Sequence, residues 1–271
     1  SNVYWVGPEA SNPEYTRQRP GNLKTLLKNG LTCGTTVMLL DGLYTAGDII
    51  LNIKDSCTPS TPIIIKSAKD AYPVMMGSLQ RQLVWTKTSD SLMWKATLFP
   101  EMAYSNLLIV QNKRLYPYST VGNNIFLGNY NLSNLKFGFD GFVRNGNTIW
   151  YKSKSGRNPN SHHVVISDKF RGITINGNGN RVYLRIQGIS FQHYAKSKVE
   201  LTQAYNAHAL IIRNCYEVVL DQCEFYHNDV PLSIQGGCSD ITVQHCKFVD
   251  NIGDWSHAMI KKSFANQNAL Y

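Results

Sequence analysis

The sequence has few charged residues: they make up 17% of its 271 positions, against about a quarter in typical soluble domains. Lysine and arginine outnumber aspartate and glutamate by 27 to 18, for a net charge of +9. The basic residues are spread along the chain and form no run, which argues against a nucleic-acid surface. The net positive charge favours anionic partners, such as an acidic polysaccharide.

Long apolar runs and metal-binding motifs are also missing. No stretch approaches the roughly 20 apolar residues of a membrane span, so we expect none. The six cysteines contain no Cys-x-x-Cys pair, which disfavours a zinc site. Glu200, Glu217 and Glu224 are scattered, so a calcium site has no support. We therefore expect neither a metal nor a cofactor.

An internal repeat is the strongest feature that is present. Residues 214–236 align with residues 237–259 at a constant spacing of 23. The aligned pairs include Cys215 and Cys238, Cys223 and Cys246, Phe225 and Phe248, and Asn228 and Asn251. An earlier copy at 182–194 places Phe191 in the phenylalanine column, 34 residues before Phe225. We expect the extra residues to bulge out near 195–205.

A period in the low twenties, with alternating apolar residues inside each copy, predicts short strands stacked in successive coils. Leucine-rich repeats share this period, but their Leu-x-x-Leu-x-Leu pattern is absent. The sequence therefore predicts an all-β fold, a right-handed parallel β-helix with coils about 4.8 Å apart. The phenylalanines should stack inside, and Asn228 should stack on Asn251 at a turn.

The cysteines fall into two groups. Cys223 and Cys246 lie between apolar neighbours in phase with Phe225 and Phe248, so they are expected as buried thiols that pack as small hydrophobes. In-register stacking holds Cβ atoms slightly too far apart for an easy bridge. Cys33 and Cys57 lie in loops near the chain start and are candidates for a disulfide joining the first two coils. Secretion would permit that disulfide.

Before the repeat, the chain shows a cap and an opening motif. Asn22 precedes an apolar stripe that ends at Gly30, which predicts a short helix covering the open end of the coils. The motif that follows reads Gly34-Thr35-Thr36-Val37, Gly42-Leu43-Tyr44 and Pro62-Ile63-Ile64-Ile65. It resembles the opening coils of secreted parallel β-helix proteins of the pectate lyase-like superfamily. These include chondroitinase B-like and alginate lyase-like enzymes and β-xylosidase-like glycosidases.

The layout divides into three parts. Residues 1–81 are predicted to form the cap and first coils, and residues 171–271 the later coils. Residues 82–170 fit no two-dozen period and are read as an inserted antiparallel β-sandwich-like subdomain, which the β-xylosidase-like enzymes also carry. We expect the later coils to be continued in a longer protein or covered by a partner.

A glycosidase needs two carboxylates facing one sugar bond. No column of the repeat holds two acids, but Asp229 and Asp254 lie in turns before strands and could converge. His257 could transfer protons, and Trp255 could stack on a sugar ring. The alternative is that these are ordinary turn residues.

A polysaccharide lyase instead needs a base and a positive group opposite the sugar carboxylate. Arg213 and Lys261 are candidates for binding such a substrate, with a solvated basic edge as the alternative. The resemblance thus implies an extracellular carbohydrate-active protein, hydrolase before lyase. The competing hypothesis is a non-catalytic structural or adhesive component of a cell-surface assembly that self-associates end to end.

Overall fold

A computed structural model describes residues 2–78, 81–103, 105, 107–118, 132–138, 140–145, 147–196, 198–200, 203–205 and 207–251. Its first third contains β1 (Val3–Val6), α1 (Leu23–Asn29), β2 (Thr36–Leu39), β3 (Gly42–Tyr44), β4 (Ile49–Asn52), β5 (Ile63–Ser67) and β6 (Pro73–Met76). Helix α1 begins as predicted, because the Asn22 side chain accepts a hydrogen bond from the Thr25 N–H. Its leucines are buried against the first coils. No helix in the described ranges is long and apolar enough to cross a membrane.

The Cys33 and Cys57 side chains are joined in a disulfide with a Cα–Cα distance of 5.4 Å. The bridge ties the loop before β2 to the loop before β5. Strands β2 and β5 are hydrogen-bonded neighbours, with Val37 paired to Ile65. The disulfide therefore joins two adjacent coils.

The final third contains β15 (Arg171–Gln187), β16 (Ser190–Gln192), β17 (Lys198–Glu200), β18 (Gln203–Tyr205), β19 (His208–Asp221), β20 (Glu224–Tyr226), β21 (Val230–Gln235), β22 (Ser239–Gln244) and β23 (Lys247–Val249). Strands β15 and β19 are long because each passes from one face of a coil to the next. Their pairing shifts register between Asn176 and Asn180, where the chain turns the corner.

Three parallel ladders result within the described part of the chain. The first contains β4, β15, β19 and β21. The second contains β1, β2, β5, the later halves of β15 and β19, and β22. The third contains β3, β6, β16, β20 and β23. Each later coil thus adds one strand to each ladder, which is the layout of a parallel β-helix.

The 23-residue repeat is confirmed by the register of the last two coils. Val218 pairs with Ile241, and Phe225 pairs with Phe248. The Phe191, Phe225 and Phe248 rings stack along the core, with centroids 5.1 and 4.8 Å apart. Because the side chains on one face repeat, each coil presents the same apolar surface to the next.

Asn228 and Asn251 form the predicted amide ladder. Both are fully buried. Asn228 Nδ2 donates to the Phe191 carbonyl and to Asn251 Oδ1, each at 3.0 Å. Asn251 Nδ2 donates to the Phe225 carbonyl at 2.9 Å. These bonds satisfy backbone carbonyls at a buried turn.

The extra residues between the first aligned copy, 182–194, and the second, 214–236, lie where the sequence places them. Strands β17 and β18 pair antiparallel, with Val199 opposite Ala204. This hairpin interrupts the spacing between Phe191 and Phe225, and the parallel pairing of those residues is preserved.

The middle third contains β7 (Thr86–Lys87), β8 (Met93–Thr97), β9 (Leu108–Val110), β10 (Lys113–Arg114), β11 (Tyr116–Pro117), α2 (Leu132–Phe137), β12 (Gly141–Asn145), β13 (Thr148–Lys152) and β14 (Val164–Ile166). Short 3₁₀ turns cover Pro100–Met102 and Pro159–Ser161. One sheet has the order β11-β12-β13-β8-β7 and is antiparallel except between β11 and β12. A second antiparallel sheet has the order β10-β9-β14. The two sheets share one apolar cluster of their own, in which Trp94 and Leu108 take part.

Candidate functional site

A cleft of about 310 Å³ lies on the outer face of the first parallel ladder. The side chains that line it belong to β4, β15 and β19 or come just before β4. They are Asp48, Ile50, Asn52, Arg171, Thr174, Asn176 and Arg213. Most of these are polar, and two are arginines.

Strand alternation explains why these side chains face outward. Ile49 and Leu51 of β4 are buried in the core, so Ile50 and Asn52 point away from it. In-register stacking then repeats the outward positions along the axis. The pairs Asn52–Asn176, Asn176–Arg213 and Arg213–Gln235 are direct register partners. They form a polar row of four side chains roughly 14 Å long, from three steps of about 4.8 Å.

The two arginines of the cleft are not neutralised by acids. In the described residues neither Arg171 nor Arg213 has a carboxylate within 4.0 Å, and the Nε of each is buried without a hydrogen-bond partner. Arg213 Nη2 donates to Gln235 Oε1 at 3.2 Å. The Arg171 guanidinium lies 4.9 Å from the Phe170 ring centroid. Both guanidinium groups therefore keep donors for a hydroxyl-rich or anionic ligand.

The carboxylate that lines the cleft is Asp48. Its residue is exposed, and its backbone adopts a left-handed φ of 51° in the turn before β4. The Asp48 N–H donates to the Arg171 carbonyl at 3.0 Å, which fixes the turn against β15. An exposed carboxylate beside a polar cleft can accept a proton or a hydroxyl hydrogen bond.

Asp229, predicted as a catalytic acid, is fully buried in the turn before β21. Its N–H donates to the Tyr194 carbonyl at 2.8 Å, and its Oδ2 accepts from the Ala207 N–H at 3.4 Å. Arg114 of β10 lies close enough for the charge of Asp229 to act on its pKa. Asp229 thus holds a turn together where a strand pair of the middle third meets the coils.

Beside Asp229, a column of His193, His227 and Asp250 occupies the same turn position on three coils. All three adopt left-handed backbone, with φ of 66°, 54° and 50°. His227 Nδ1 lies 2.8 Å from Asp250 Oδ2, and His193 Nδ1 is hydrogen-bonded to Ser78 Oγ at 2.8 Å. The two imidazole centroids are 5.9 Å apart.

Burial keeps both imidazoles of this column neutral at neutral pH. It lowers the pKa of His193 to about 3, and the nearby His227 imidazole and Arg114 guanidinium act in the same direction. Burial also lowers the pKa of His227, against the opposing effect of Asp250. Burial lowers the pKa of Arg114, whose Nη1 donates to the Asp250 carbonyl at 2.8 Å. In the described part of the chain, no group of three or more His, Cys, Asp or Glu side chains is arranged to hold a metal ion.

Comparison with known proteins gives a shared fold without a close relative. No family model and no curated protein sequence matches the chain. A solved structure described as a glycoside hydrolase matches with a TM-score of 0.58 and 13% identity. The match covers 91% of this chain and 65% of that one, so this chain spans less than two thirds of it. The likeness shows the fold alone.

Two further solved structures match less well. XylC in complex with xylose matches with a TM-score of 0.48 and 14% identity, over 87% of this chain and 42% of that chain. Pectate lyase Pel9A matches with a TM-score of 0.43 and 12% identity, over 90% and 38%.

The structure brings together only part of the predicted site. Arg213 lines the cleft, whereas Asp229 lies in the buried turn described above. The other predicted site residues, Asp254, Trp255, His257 and Lys261, lie outside the described residues.

Sequence reasoning missed Asp48 and Arg171 in the cleft and Arg114 beside the histidine column. One signal was available for the column itself. His227 and Asp250 are 23 residues apart, so the repeat that aligned the phenylalanines also aligned this pair. Asp48 and Arg171 belong to coils separated by the middle third, where no repeat connects them.

Proposed function

We propose that this chain belongs to an extracellular carbohydrate-active protein, of glycoside hydrolase type before lyase type, that binds a polysaccharide in the cleft. The observation that carries the proposal is the polar row Asn52–Asn176–Arg213–Gln235 beside Arg171 and Asp48. The fold shared with a structure described as a glycoside hydrolase supports it.

The chemistry of the row suits a chain of sugars. Amide and guanidinium groups donate and accept hydrogen bonds at fixed intervals along the coil axis, and a sugar chain presents hydroxyl groups along its length. Arg171 and Arg213 would also bind a sugar carboxylate or sulfate by charge-assisted hydrogen bonds. With a net charge of +9, the protein would attract an acidic polysaccharide more strongly than a neutral one.

For the reaction, we propose hydrolysis by a pair of carboxylates with distinct roles as acid and as base or nucleophile. The catalytic candidates predicted from the sequence are Asp229, Asp254 and His257. The predicted substrate contacts are Trp255 and Lys261. Asp48 is added because it is an exposed carboxylate in the cleft. The lyase alternative would use Arg171 and Arg213 to offset a uronate carboxylate.

We further propose that residues 1–81 and 171–271 form right-handed coils and that residues 82–170 form a β-sandwich-like insertion. We also propose that the protein is secreted and that its coils continue in a longer protein or associate end to end. The Cys33–Cys57 disulfide supports secretion, since such bonds persist in oxidising compartments.

Binding tests the cleft. Affinity electrophoresis on neutral xylan and on polygalacturonate would compare the wild type with Arg213→Gln and Arg171→Gln. We expect each variant to lose roughly tenfold in affinity, which corresponds to one charge-assisted hydrogen bond. The matched control is Arg185→Gln, which removes an exposed arginine outside the cleft from β15, the strand that also carries Arg171. Equal losses in all three variants would mean that net charge alone governs binding, and the cleft assignment would be abandoned.

Cleavage tests the reaction. New reducing ends report hydrolysis, and unsaturated ends that absorb in the ultraviolet report elimination. Asp48→Asn, Asp229→Asn and Asp254→Asn would be assayed beside the wild type. Loss of activity in two variants that keep the wild-type unfolding temperature would identify the acid pair. Binding without cleavage by the wild type would instead support the non-catalytic structural or adhesive role.

A further inference from the structure

The hairpin of β9 and β10 meets the coils at the histidine column. Strand β10 has two residues and lies at the edge of its sheet. In the described part of the chain it pairs with β9 alone, through Lys113–Val110 and Arg114–Ile109. Arg114 Nη1 donates to the Asp250 carbonyl at 2.8 Å, although the two residues are 136 apart in the sequence. A cation thus fastens the edge of the middle third to a turn of the coils.

The position of this cation opposes protonation of His227. Burial lowers the pKa of His227 below its ordinary value of 6.5. The Asp250 carboxylate, 2.8 Å from His227 Nδ1, acts against that effect, and the Arg114 guanidinium reinforces it. Withdrawal of Arg114 would remove its charge and admit water to the imidazole, so His227 would then take up a proton more readily. By linkage, acid favours the state in which Arg114 is withdrawn.

The other groups around the column leave His227 as the group that responds to mild acid. The described titratable groups that act on the two imidazoles or on Arg114 come from the middle third and from three coils, and they are Arg114, His163, His193, His227, Asp229 and Asp250. His193 is buried, with a pKa of about 3, so it stays neutral while His227 titrates. Asp229 is fully buried and accepts a hydrogen bond from the Ala207 N–H.

We propose that the contact of Arg114 with the Asp250 carbonyl is an acid-sensitive switch, in which protonation of His227 releases β10 from the coils. Strand β9 stays in place, because Leu107 and Ile109 pack in one apolar cluster with Ala195 of the coils. The switch is therefore a local opening at the edge of the middle third, and it does not require the coils to unfold.

The backbone around β10 sets the limits of the opening. Gln111 and Asn112 form the turn of the hairpin, with left-handed φ values of 52° and 61°. Leu115, just after β10, is buried, and its N–H donates to the Leu108 carbonyl at 2.9 Å. The segment free to move thus covers residues 111–114. Short edge segments with few buried contacts are the parts of a protein that open at the lowest free energy.

Hydrogen–deuterium exchange of the intact chain at pH 7.5 and pH 5.0, corrected for the intrinsic pH dependence of exchange, measures the release. We expect peptides covering residues 111–114 to exchange about tenfold faster at pH 5.0. The limit is roughly thirtyfold, which is what one imidazole with an ordinary pKa of 6.5 supplies at that pH. Peptides covering β16 and β20 should exchange at the same corrected rate at both pH values.

Three variants separate the switch from a general effect of acid. His227→Gln cannot take up a proton and should lose the acid response. Arg114→Gln lacks the cation and should exchange rapidly at both pH values. The matched control is His245→Gln, which removes an exposed histidine from the following coil and should respond as the wild type does.

Three outcomes would overturn the proposal. One is a corrected exchange rate of residues 111–114 that does not change between pH 7.5 and 5.0. Another is an equal acceleration in β16 and β20, which would mean that acid loosens the coils as a whole. The third is an unaltered acid response in His227→Gln. The wild-type profile decides the matter even if a variant does not fold, and no arm of the test depends on the proposed function of the cleft.

Discussion

The Phe225 and Phe248 rings lie face to face, with centroids 4.8 Å apart and planes within 5° of each other, although 23 residues separate them in the sequence. The centroid distance equals the spacing of adjacent strands. Each coil therefore advances the chain along the coil axis by the spacing of one strand. The stack fixes the register that places the outward polar side chains of the first ladder in a row.

Phe225→Ala should destabilise the protein by about 3 to 5 kcal/mol, because it empties the middle of the stack and leaves a cavity in a fully buried core. Urea unfolding followed by circular dichroism would measure the change. Phe248→Ala is the comparison, since Phe248 is only partly buried and should cost less. Equal costs at the two positions would contradict a continuous stack with Phe225 at its centre.

Asn228→Ala should cost about 3 kcal/mol in free energy of unfolding. The substitution leaves the Phe191 carbonyl and the Tyr194 N–H, which both bond to the Asn228 amide, buried without those partners. Asn52→Ala serves as the control, because Asn52 is exposed and should change stability by less than about 0.5 kcal/mol. Similar values for both variants would show that the buried amide ladder contributes nothing specific.

Acid should destabilise the protein through His193. Its pKa is about 3 in the folded protein and about 6.5 when unfolded, so the neutral imidazole stabilises the fold above pH 6.5. That stability is lost as the pH falls from 6.5 towards 3, by about 2 kcal/mol between pH 6.5 and 5.

Thermal unfolding as a function of pH would measure this loss, and His193→Asn should flatten it. His245→Gln is the control, because the His245 side chain is 72% exposed. His227 shifts in the same direction as His193, so a smaller slope should remain in His193→Asn. A wild-type stability that is flat between pH 6.5 and 5 would contradict a buried neutral His193.

Reduction of the Cys33–Cys57 disulfide should lower the stability by about 3 kcal/mol, the value expected for a bridge that closes a loop of 24 residues. The double variant Cys33→Ser/Cys57→Ser, compared with the wild type in the absence of reductant, measures the loss by urea unfolding. Adding a reductant should lower the wild type to the level of the variant and leave the variant unchanged.

The coils could be predicted from sequence because residues that stack on successive coils recur at a constant spacing along the chain. Phe225 over Phe248 and Asn228 over Asn251 follow directly from an interval of 23. The capping helix could also be predicted, since the Asn22 cap and the leucine stripe are local signals. These features depend on neighbours that are close in sequence or periodic.

The cleft and the buried turn could not be predicted in the same way. Asn52 and Asn176 are direct register partners, but the whole middle third separates them in the sequence. Asp229 was read as a turn acid able to reach a substrate, yet it lies buried where Arg114 comes close. Contacts between a coil and an insertion follow no period, so only the folded structure shows them.

The most direct test of polysaccharide binding in the cleft is a crystal structure of the protein soaked with an oligogalacturonide. We expect difference density for sugar rings in the cleft, with a sugar carboxylate within hydrogen-bonding distance of Arg171 or Arg213. Clear density for the oligosaccharide elsewhere on the protein, with the cleft empty at a saturating concentration, would contradict the account.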